Sequence, residues 1–290
     1  MKKFNNNNLK LAIQKEGRLT EETLSFLRRT GLEFESYQQR LFSSCRNFPL
    51  EILYLRDDDI PNYVSTGVVD LGIVGQNLLY EKREKVKKLL NLRFGFSSLI
   101  IAVPKDSPIK TLADLNGKRI ATSYSNTSKS FFKKNNIQAD LVQVRGSVEI
   151  TPSIGIADAI IDLTSTGSTL ILQDLRFLTK IYDSEAVLIA NNAISTGKKI
   201  LVNKLITRFK GVLSAKNYKY IFLNTEEKIL PRLKKIIPGL GSQTISPLAQ
   251  KGWVSVTCVV KEDIFWEIIE RLKAKGVSRI LVLPIEKMIL

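Results

Sequence analysis

The densest polar segment is Asp162-Leu163-Thr164-Ser165-Thr166-Gly167-Ser168-Thr169-Leu170, which follows the apolar run Ala159-Ile160-Ile161 and precedes a helix predicted from about Thr169. A strand-to-helix turn of Ser, Thr and Gly converges hydroxyls and unpaired backbone N–H groups on one point, at the positive end of the helix dipole. That arrangement suits an anion. Asp162, at the strand's end, suits hydrogen bonds donated by sugar hydroxyls. The same residues also read as an ordinary connection with a Ser/Thr N-cap.

Three further segments carry charge at predicted turns. Gln14-Lys15-Glu16-Gly17-Arg18 puts two cations between a strand and a helix, and an Arg beside a helix N-terminus suits a phosphate. A solvated charged loop is the other reading. In Asp70-Leu71-Gly72-Ile73-Val74-Gly75 the glycines let backbone approach a ligand closely, although many α/β strands end this way. Arg145-Gly146-Ser147-Val148-Glu149 places a carboxylate shortly before Pro152, as a turn or capping residue or as a member of a site.

The elements that must position these segments alternate in type. Strands are predicted at Leu9–Ile13, Glu51–Leu55, Val69–Val74 and Leu99–Val103, with a helix starting at Thr20 as N-cap and a charged helix at about 77–90. Pro104 and Pro108 punctuate a change of unit. A second run follows, with strands at Lys118–Ser123, Asp140–Val144 and Ala159–Leu163 and a helix at Asn126–Asn135. The apolar run Ala186–Ala190 reads as the chain returning to the first sheet. From Tyr218 the order is βαββαβ, the ferredoxin-like unit, with helices at Thr225–Ile237 and Glu262–Lys275. The expected organisation is α/β: residues 1–104 with 185–224 as one lobe, 105–184 as a second, and 225–290 as a separate domain. Two lobes joined by two crossings enclose a cleft, a favoured place for small ligands.

Composition narrows the chemistry. The 290 residues include 44 Lys+Arg against 28 Asp+Glu, a formal charge of +16, and no His. The excess of positive charge points to anionic partners. The absence of imidazole excludes Ser-His-Asp and Cys-His nucleophiles, His-ligated zinc and His proton shuttles. Two cysteines, Cys45 and Cys258, are too distant in sequence for a local metal knuckle and suggest a reducing compartment.

Taken together, LKLAIQKEGRL, LRDDDIP, VVDLGIVGQN, GKRIATSYSNTSKSFF, GSVEITPSIGIADAIIDLTSTGSTL and SRILVLPIEKM resemble ATP phosphoribosyltransferase, the first enzyme of histidine biosynthesis. The resemblance runs from about Leu9 to Met288 and is most specific over Gly155 to Leu170. It implies a two-lobed catalytic core like a type II periplasmic binding protein, with a C-terminal ferredoxin-like, ACT-like regulatory domain as in the family's long form. The implied reaction is a pentosyl transfer that joins ATP to 5-phosphoribosyl 1-diphosphate, with Mg²⁺ on the diphosphate. By similarity Ser165, Thr166, Gly167, Ser168 and Thr169 cradle the 5-phosphate, and Asp162 holds the ribose hydroxyls. Glu149 shares that role or helps hold the metal. Lys15, Arg18 and Arg56 are the candidates for ATP and diphosphate neutralisation, Arg18 also for a catalytic part, and Asp70 for the adenine side. Thr244, Ser246 and Leu248 match the region where relatives contact histidine, the implied feedback inhibitor.

The resemblance also implies a homo-oligomer between dimer and hexamer that needs no separate regulatory subunit. Two polyanionic substrates account for the charge without nucleic acid, and no helix-turn-helix, RNP-like strand or basic helix is present in the sequence pattern. The Asn run at residues 5–8 stands where a signal peptide has apolar residues, and no apolar run approaches the ~18 residues of a membrane span, so a cytoplasmic protein without membrane contact is expected. The competing readings are a two-lobed ligand-binding protein without catalysis, and an amino-acid-sensing regulatory protein suggested by the tail alone.

Overall fold

The computed structural model describes residues 7–35, 41–165, 167, 170, 172–233, 236–237 and 243–289, without the Ser278 side chain. Two compact units result: residues 1–28 with 32–203, and residues 29–31 with 204–290.

The first unit holds two sheets. One is built on β1 (Leu9–Gln14), whose apolar Leu9, Leu11, Ala12 and Ile13 are fully buried. It lies between β3 (Leu50–Leu55) and β4 (Leu71–Gly75), both parallel to it, with Leu9 opposite Leu50 and Leu11 opposite Leu71. β2 (Phe42–Ser44) is the antiparallel strand outside β3. On the other side of β4 come β11 (Ala186–Ala190), antiparallel to it, and then β5 (Lys87–Asn91). Every residue of β11 is buried, as its uninterrupted apolar run requires. The helices α1 (Thr20–Arg29), α2 (Ile60–Ser65) and α3 (Gln76–Lys82) follow β1, β3 and β4.

The second sheet has the order β10 (Leu175–Ser184), β6 (Ser97–Pro104), β9 (Ala159–Thr164), β7 (Arg119–Thr122), β8 (Asp140–Gln143). β7 runs parallel to both β8 and β9, and β6 is antiparallel to β9 and β10. α4 (Ser125–Lys134) follows β7. β6 therefore belongs to the second lobe, and the expected boundary at 104/105 is corrected. Its two ladder partners both come from that lobe, whereas Pro104 marks only the strand's far end.

In the second unit the sheet order is β13 (Thr244–Pro247), β14 (Trp253–Lys261), β12 (Tyr218–Glu226), β15 (Ser278–Pro284), antiparallel throughout. This is the ferredoxin-like order expected of βαββαβ. Ile221, Leu223, Val256, Cys258 and Val260 pack against Phe265, Ile268 and Leu272 of a helix at Glu262–Lys273. The helix expected to start at Thr225 does not. β12 continues to Glu226 with Thr225 fully buried, so the start at residue 225 falls inside a strand. A β-branched residue between Leu223 and the turn extends the ladder rather than opening a helix.

Two more elements depart from expectation. The helix at 77–90 stops at Lys82, because Arg83 takes a left-handed conformation (φ 55°) and donates its N–H to the Leu79 carbonyl; Lys87–Asn91 is then free to pair with β11. α5 (Thr196–Ala215) has twenty residues and was not anticipated. Its first turn carries no acid, so the start signal is missing, yet Val202, Leu205, Phe209, Val212 and Leu213 are buried at helical spacing. No helix among the described residues is long and apolar enough to cross a membrane.

Candidate active site

β1, β3 and β4 point one way in the first sheet, and β7, β8 and β9 are mutually parallel in the second. In open α/β sheets ligands gather beyond the carboxyl ends of such strands. The segments that leave those ends are 15–18 after β1, 56–59 after β3, 123–125 after β7, 144–149 after β8 and 165–170 after β9.

The loop after β1 is shaped by Gly17. Its φ is +134°, and a Cβ there would collide with the Gln14 side-chain amide. Gln14 is occupied in turn: its Oε1 accepts the Leu19 N–H at 3.1 Å, and its carbonyl accepts the Thr20 hydroxyl at 3.4 Å. Thr20 is thus the first helical residue rather than the cap before it. Lys15 donates its N–H to the Leu55 carbonyl at 2.8 Å, and its half-exposed ammonium lies 3.7 Å from Glu16. Arg56, exposed, precedes the 3-10 turn Asp57–Asp59, whose Asp59 N–H bonds the Arg56 carbonyl.

Asp162 is half-buried at the end of β9. Burial pushes its carboxyl up to about 6; the Leu163 N–H, bonded to Oδ1 at 2.8 Å, opposes the rise, the Glu149 charge adds to it, and Arg18 opposes it. Asp162, Glu149 and Arg18 therefore share one electrostatic environment, although they come from segments of both sheets. Glu149 is held in a short 3-10 turn after two left-handed residues, Gly146 (φ 84°) and Ser147 (φ 49°). Beneath it Val148 is anchored in an apolar cluster with Ala121, Ala157 and Ile160, against which Leu170 also packs. Both site loops rest on the same floor.

Within the loop after β9, Ser165 is exposed and Gly167 has φ +74°, with no described residue within 4 Å of where a Cβ would stand. The Gly167 N–H is held by the Thr164 hydroxyl at 2.9 Å. Thr166, Ser168 and Thr169 lie outside the described residues.

Asp70 is not brought to this end. It precedes β4, where its Oδ2 accepts the Lys10 N–H at 2.8 Å near the start of β1. The Arg18 loop leaves the other end of that strand, some 15–20 Å away at ~3.3 Å per residue. Both Asp70 oxygens bond Lys198, at 2.7 and 3.0 Å. Asp70 therefore does not reach the adenine side as expected: its carboxylate is held in a half-buried anchor at the opposite end of the strand.

Two residues were not singled out from sequence. Tyr124, at the N-terminus of α4, has a hydroxyl held well above the usual phenol range by burial and by the Asp162 charge, with Arg18 opposing. Asp57 is raised by burial, with the Asp58 N–H opposing, the Asp58 charge adding, and its own N–H and the Lys82 charge opposing. Tyr124 lies in GKRIATSYSNTSKSFF, and its position directly after the expected strand Lys118–Ser123 is the available signal. In the second unit, Thr244 and Ser246 are exposed on the edge strand β13, while Ile245 between them packs into the core. Leu248 follows the strand, its N–H bonded to the Trp253 carbonyl at 2.9 Å.

Residues 56–211 match the family model described as ATP phosphoribosyltransferase, and residues 215–287 the one described as HisG, C-terminal domain. A curated relative from Cytophaga hutchinsonii named ATP phosphoribosyltransferase is 47% identical over 97% of this chain and 98% of its own length. One of the same name from Bacteroides thetaiotaomicron is 45% identical over 97% and 99%. Among solved structures, a chain of the ATP phosphoribosyl transferase (HisG:HisZ) complex from Thermotoga maritima is 28% identical, with a TM-score of 0.60 over 69% of this chain and 96% of its own. A match of that extent in both sequence and fold has one reading: the chain belongs to the ATP phosphoribosyltransferase family.

Proposed function

We propose that the protein condenses ATP with 5-phosphoribosyl 1-diphosphate to give N1-(5-phospho-β-D-ribosyl)-ATP and diphosphate, the first step of histidine biosynthesis, at the cleft where Arg18, Tyr124, Glu149 and Asp162 converge. The reading is supported by the electrostatic coupling of Asp162 to Glu149, Arg18 and Tyr124, on segments at or beyond the carboxyl ends of strands in both sheets. Adenine N1 attacks the anomeric carbon, the bond to diphosphate breaks, and the configuration inverts. Positive charge develops on the ribose ring and negative charge on the leaving oxygens. The protein must align two polyanions and stabilise both charges.

Asp162 binds the ribose hydroxyls, and its carboxylate favours the developing cation once ionised. Ser165, Thr166, Gly167, Ser168 and Thr169 hold the 5-phosphate with hydroxyls and backbone N–H groups. Lys15, Arg18 and Arg56 supply cations at the mouth of the first lobe, against the triphosphate and the departing diphosphate. None of these tasks needs imidazole.

The family's divalent metal fits as Mg²⁺. The described residues hold no cluster of three acidic, His or Cys side chains, and a Mg²⁺ that rides on substrate phosphates needs only one or two carboxylates. Glu149 would be such a ligand. When bound, the ion neutralises charge on the diphosphate.

The second unit is the regulatory domain, which binds histidine at Thr244, Ser246 and Leu248 and inhibits the enzyme as is typical of the family. The working assembly is a homo-oligomer, dimer to hexamer, with no separate regulatory subunit, in the cytoplasm and without nucleic acid or membrane partners. Mixing the protein with ATP, 5-phosphoribosyl 1-diphosphate and Mg²⁺ and following the ultraviolet absorption of N1-substituted adenine tests the reaction. A protein that binds both substrates and forms no product would leave only the ligand-binding reading.

A further inference from the structure

Helix α4 carries no cap of its own. Tyr124 stands at its N-cap position with no side-chain hydrogen bond to the first turn. The missing acceptors come from the other lobe. Glu81 of α3 accepts the Asn126 N–H on Oε1 and the Thr127 N–H on Oε2, each at 3.0 Å, and its carbonyl accepts the Asn126 side-chain amide at 3.0 Å. Glu81 is only 8% exposed. Beside it the guanidinium of Arg83 donates to the Asn126 carbonyl at 3.0 Å and to the Ser130 hydroxyl.

Capping is ordinarily local, supplied by a residue at the helix's own start. Here a carboxylate serves from across the cleft, where it also meets the positive end of the helix dipole. The arrangement ties one lobe to the element that presents Tyr124 to Asp162 and Arg18. On the same lobe-to-lobe seam Asn77 shares a buried hydrogen-bond pair with Ser184, and its amide faces the Tyr124 hydroxyl at 3.5 Å.

We infer that Glu81 is a positioning residue for the transfer: by capping α4 from the opposite lobe it sets the place of Tyr124 in the site and holds the two lobes at the spacing the two substrates require. The inference rests on the proposed reaction at that cleft. It assigns Glu81 no contact with substrate.

Glu81→Gln keeps the shape but turns one acceptor into a donor facing an N–H, so only one of the two amides stays bonded. Hydrogen exchange in the protein without substrate is the first measurement. One of the two amides, Asn126 or Thr127, should exchange about tenfold or more faster in the variant, with the rest of the sheets unchanged. The second is kinetic. Glu81→Gln should lower kcat roughly ten- to hundredfold, the range for a misplaced constellation, with KM for each substrate within about threefold. The double variant Glu81→Gln/Tyr124→Phe should be no slower than Tyr124→Phe alone, because both losses then pass through one residue.

Unchanged exchange at Asn126 and Thr127 would overturn the inference whether or not the protein is active. Losses that multiply in the double variant, or a wild-type kcat in Glu81→Gln, would overturn it as well. Glu81→Asp, which keeps the charge but is too short to reach both amides, is read by the same criteria if the Gln variant does not fold. The exchange result needs no catalysis, so absence of product from the unaltered protein counts against the proposed reaction alone.

Discussion

Lys198, in the first turn of α5, closes on Asp70 with one ammonium against both carboxylate oxygens, and the pair is largely sheltered from water. Asp70 also takes the Lys10 N–H, so the cluster ties α5 to the starts of β1 and β4. Asp70→Asn should destabilise the protein by roughly 1–3 kcal/mol, the cost of leaving a sheltered charged group poorly matched. Thermal melting would show it. KM for ATP should stay at the wild-type value, since the pair lies at the other end of β1 from Arg18; a large rise would return Asp70 to the nucleotide site.

Asp162 makes a prediction with a sign. Its folded carboxyl titrates at about 6 against 3.8 for the free group. The folded protein therefore keeps a proton that the unfolded chain releases, and this group's contribution to stability falls as pH rises through that window. Asp162→Asn should melt higher than wild type at pH 8 and alike near pH 3. Turnover should move the opposite way. The wild-type-to-variant ratio of kcat/KM for the phosphoribosyl donor should be large at pH 8 and shrink towards one as pH falls below about 6. The donor's own phosphate titrates near there too, but that ionisation cancels in the ratio.

Gly167 separates folding from binding. Its positive φ strains any side chain, by about 1–2 kcal/mol, while a Cβ there would meet none of the described residues. Gly167→Ala should thus stay folded at a stability cost of about 1–2 kcal/mol but raise KM for 5-phosphoribosyl 1-diphosphate about tenfold or more, through a shifted N–H cradle. An unchanged dissociation constant and an unchanged KM for 5-phosphoribosyl 1-diphosphate would remove this loop from the site.

Histidine should inhibit the protein and raise its sedimentation coefficient, because a ligand shifts only an assembly equilibrium whose states it distinguishes. Replacing Ser246 by Phe on the exposed face of β13 should raise the half-inhibitory histidine concentration about tenfold or more while leaving the Ile245 packing intact. Truncation is a poorer test. A cut at residue 225 would split β12 and expose Ile221 and Leu223, which are buried in that sheet's core.

The parts legible in sequence were those with a local signature. β9 and its Ser/Thr-rich turn, the apolar return strand at Ala186–Ala190, and the βαββαβ order of the tail each announce themselves within about ten residues. The electrostatic meeting of Asp162 with Glu149 and Arg18 belongs to tertiary structure, and only the resemblance brought those three into one list. Tyr124 and Glu81 were missed for the same reason: a cap supplied from another lobe leaves no mark near the helix it caps. Asp70 erred the other way. A polar residue beside a glycine-rich strand looks equally functional at either end of it, and only the parallel register of β1 and β4 tells the ends apart. The long α5 escaped because Thr196-Gly197 gives a weak helix start, with no acid in the turn that follows.

The second sheet begins and finishes on neighbours. Ser97 opens β6 and Ser184 closes β10, and the two residues face each other in the antiparallel ladder. A segment of that kind has both ends at one doorway, which is how an inserted module is spliced into a host chain at small cost in loop entropy. The host closes just as neatly, since β5 and β11, on either side of the splice, pair with Asn91 opposite Val187. Each lobe could therefore be inherited, exchanged or circularly permuted through that doorway without disturbing the other's ladder, and the shared seam at Glu81 is what such an exchange would have to rebuild.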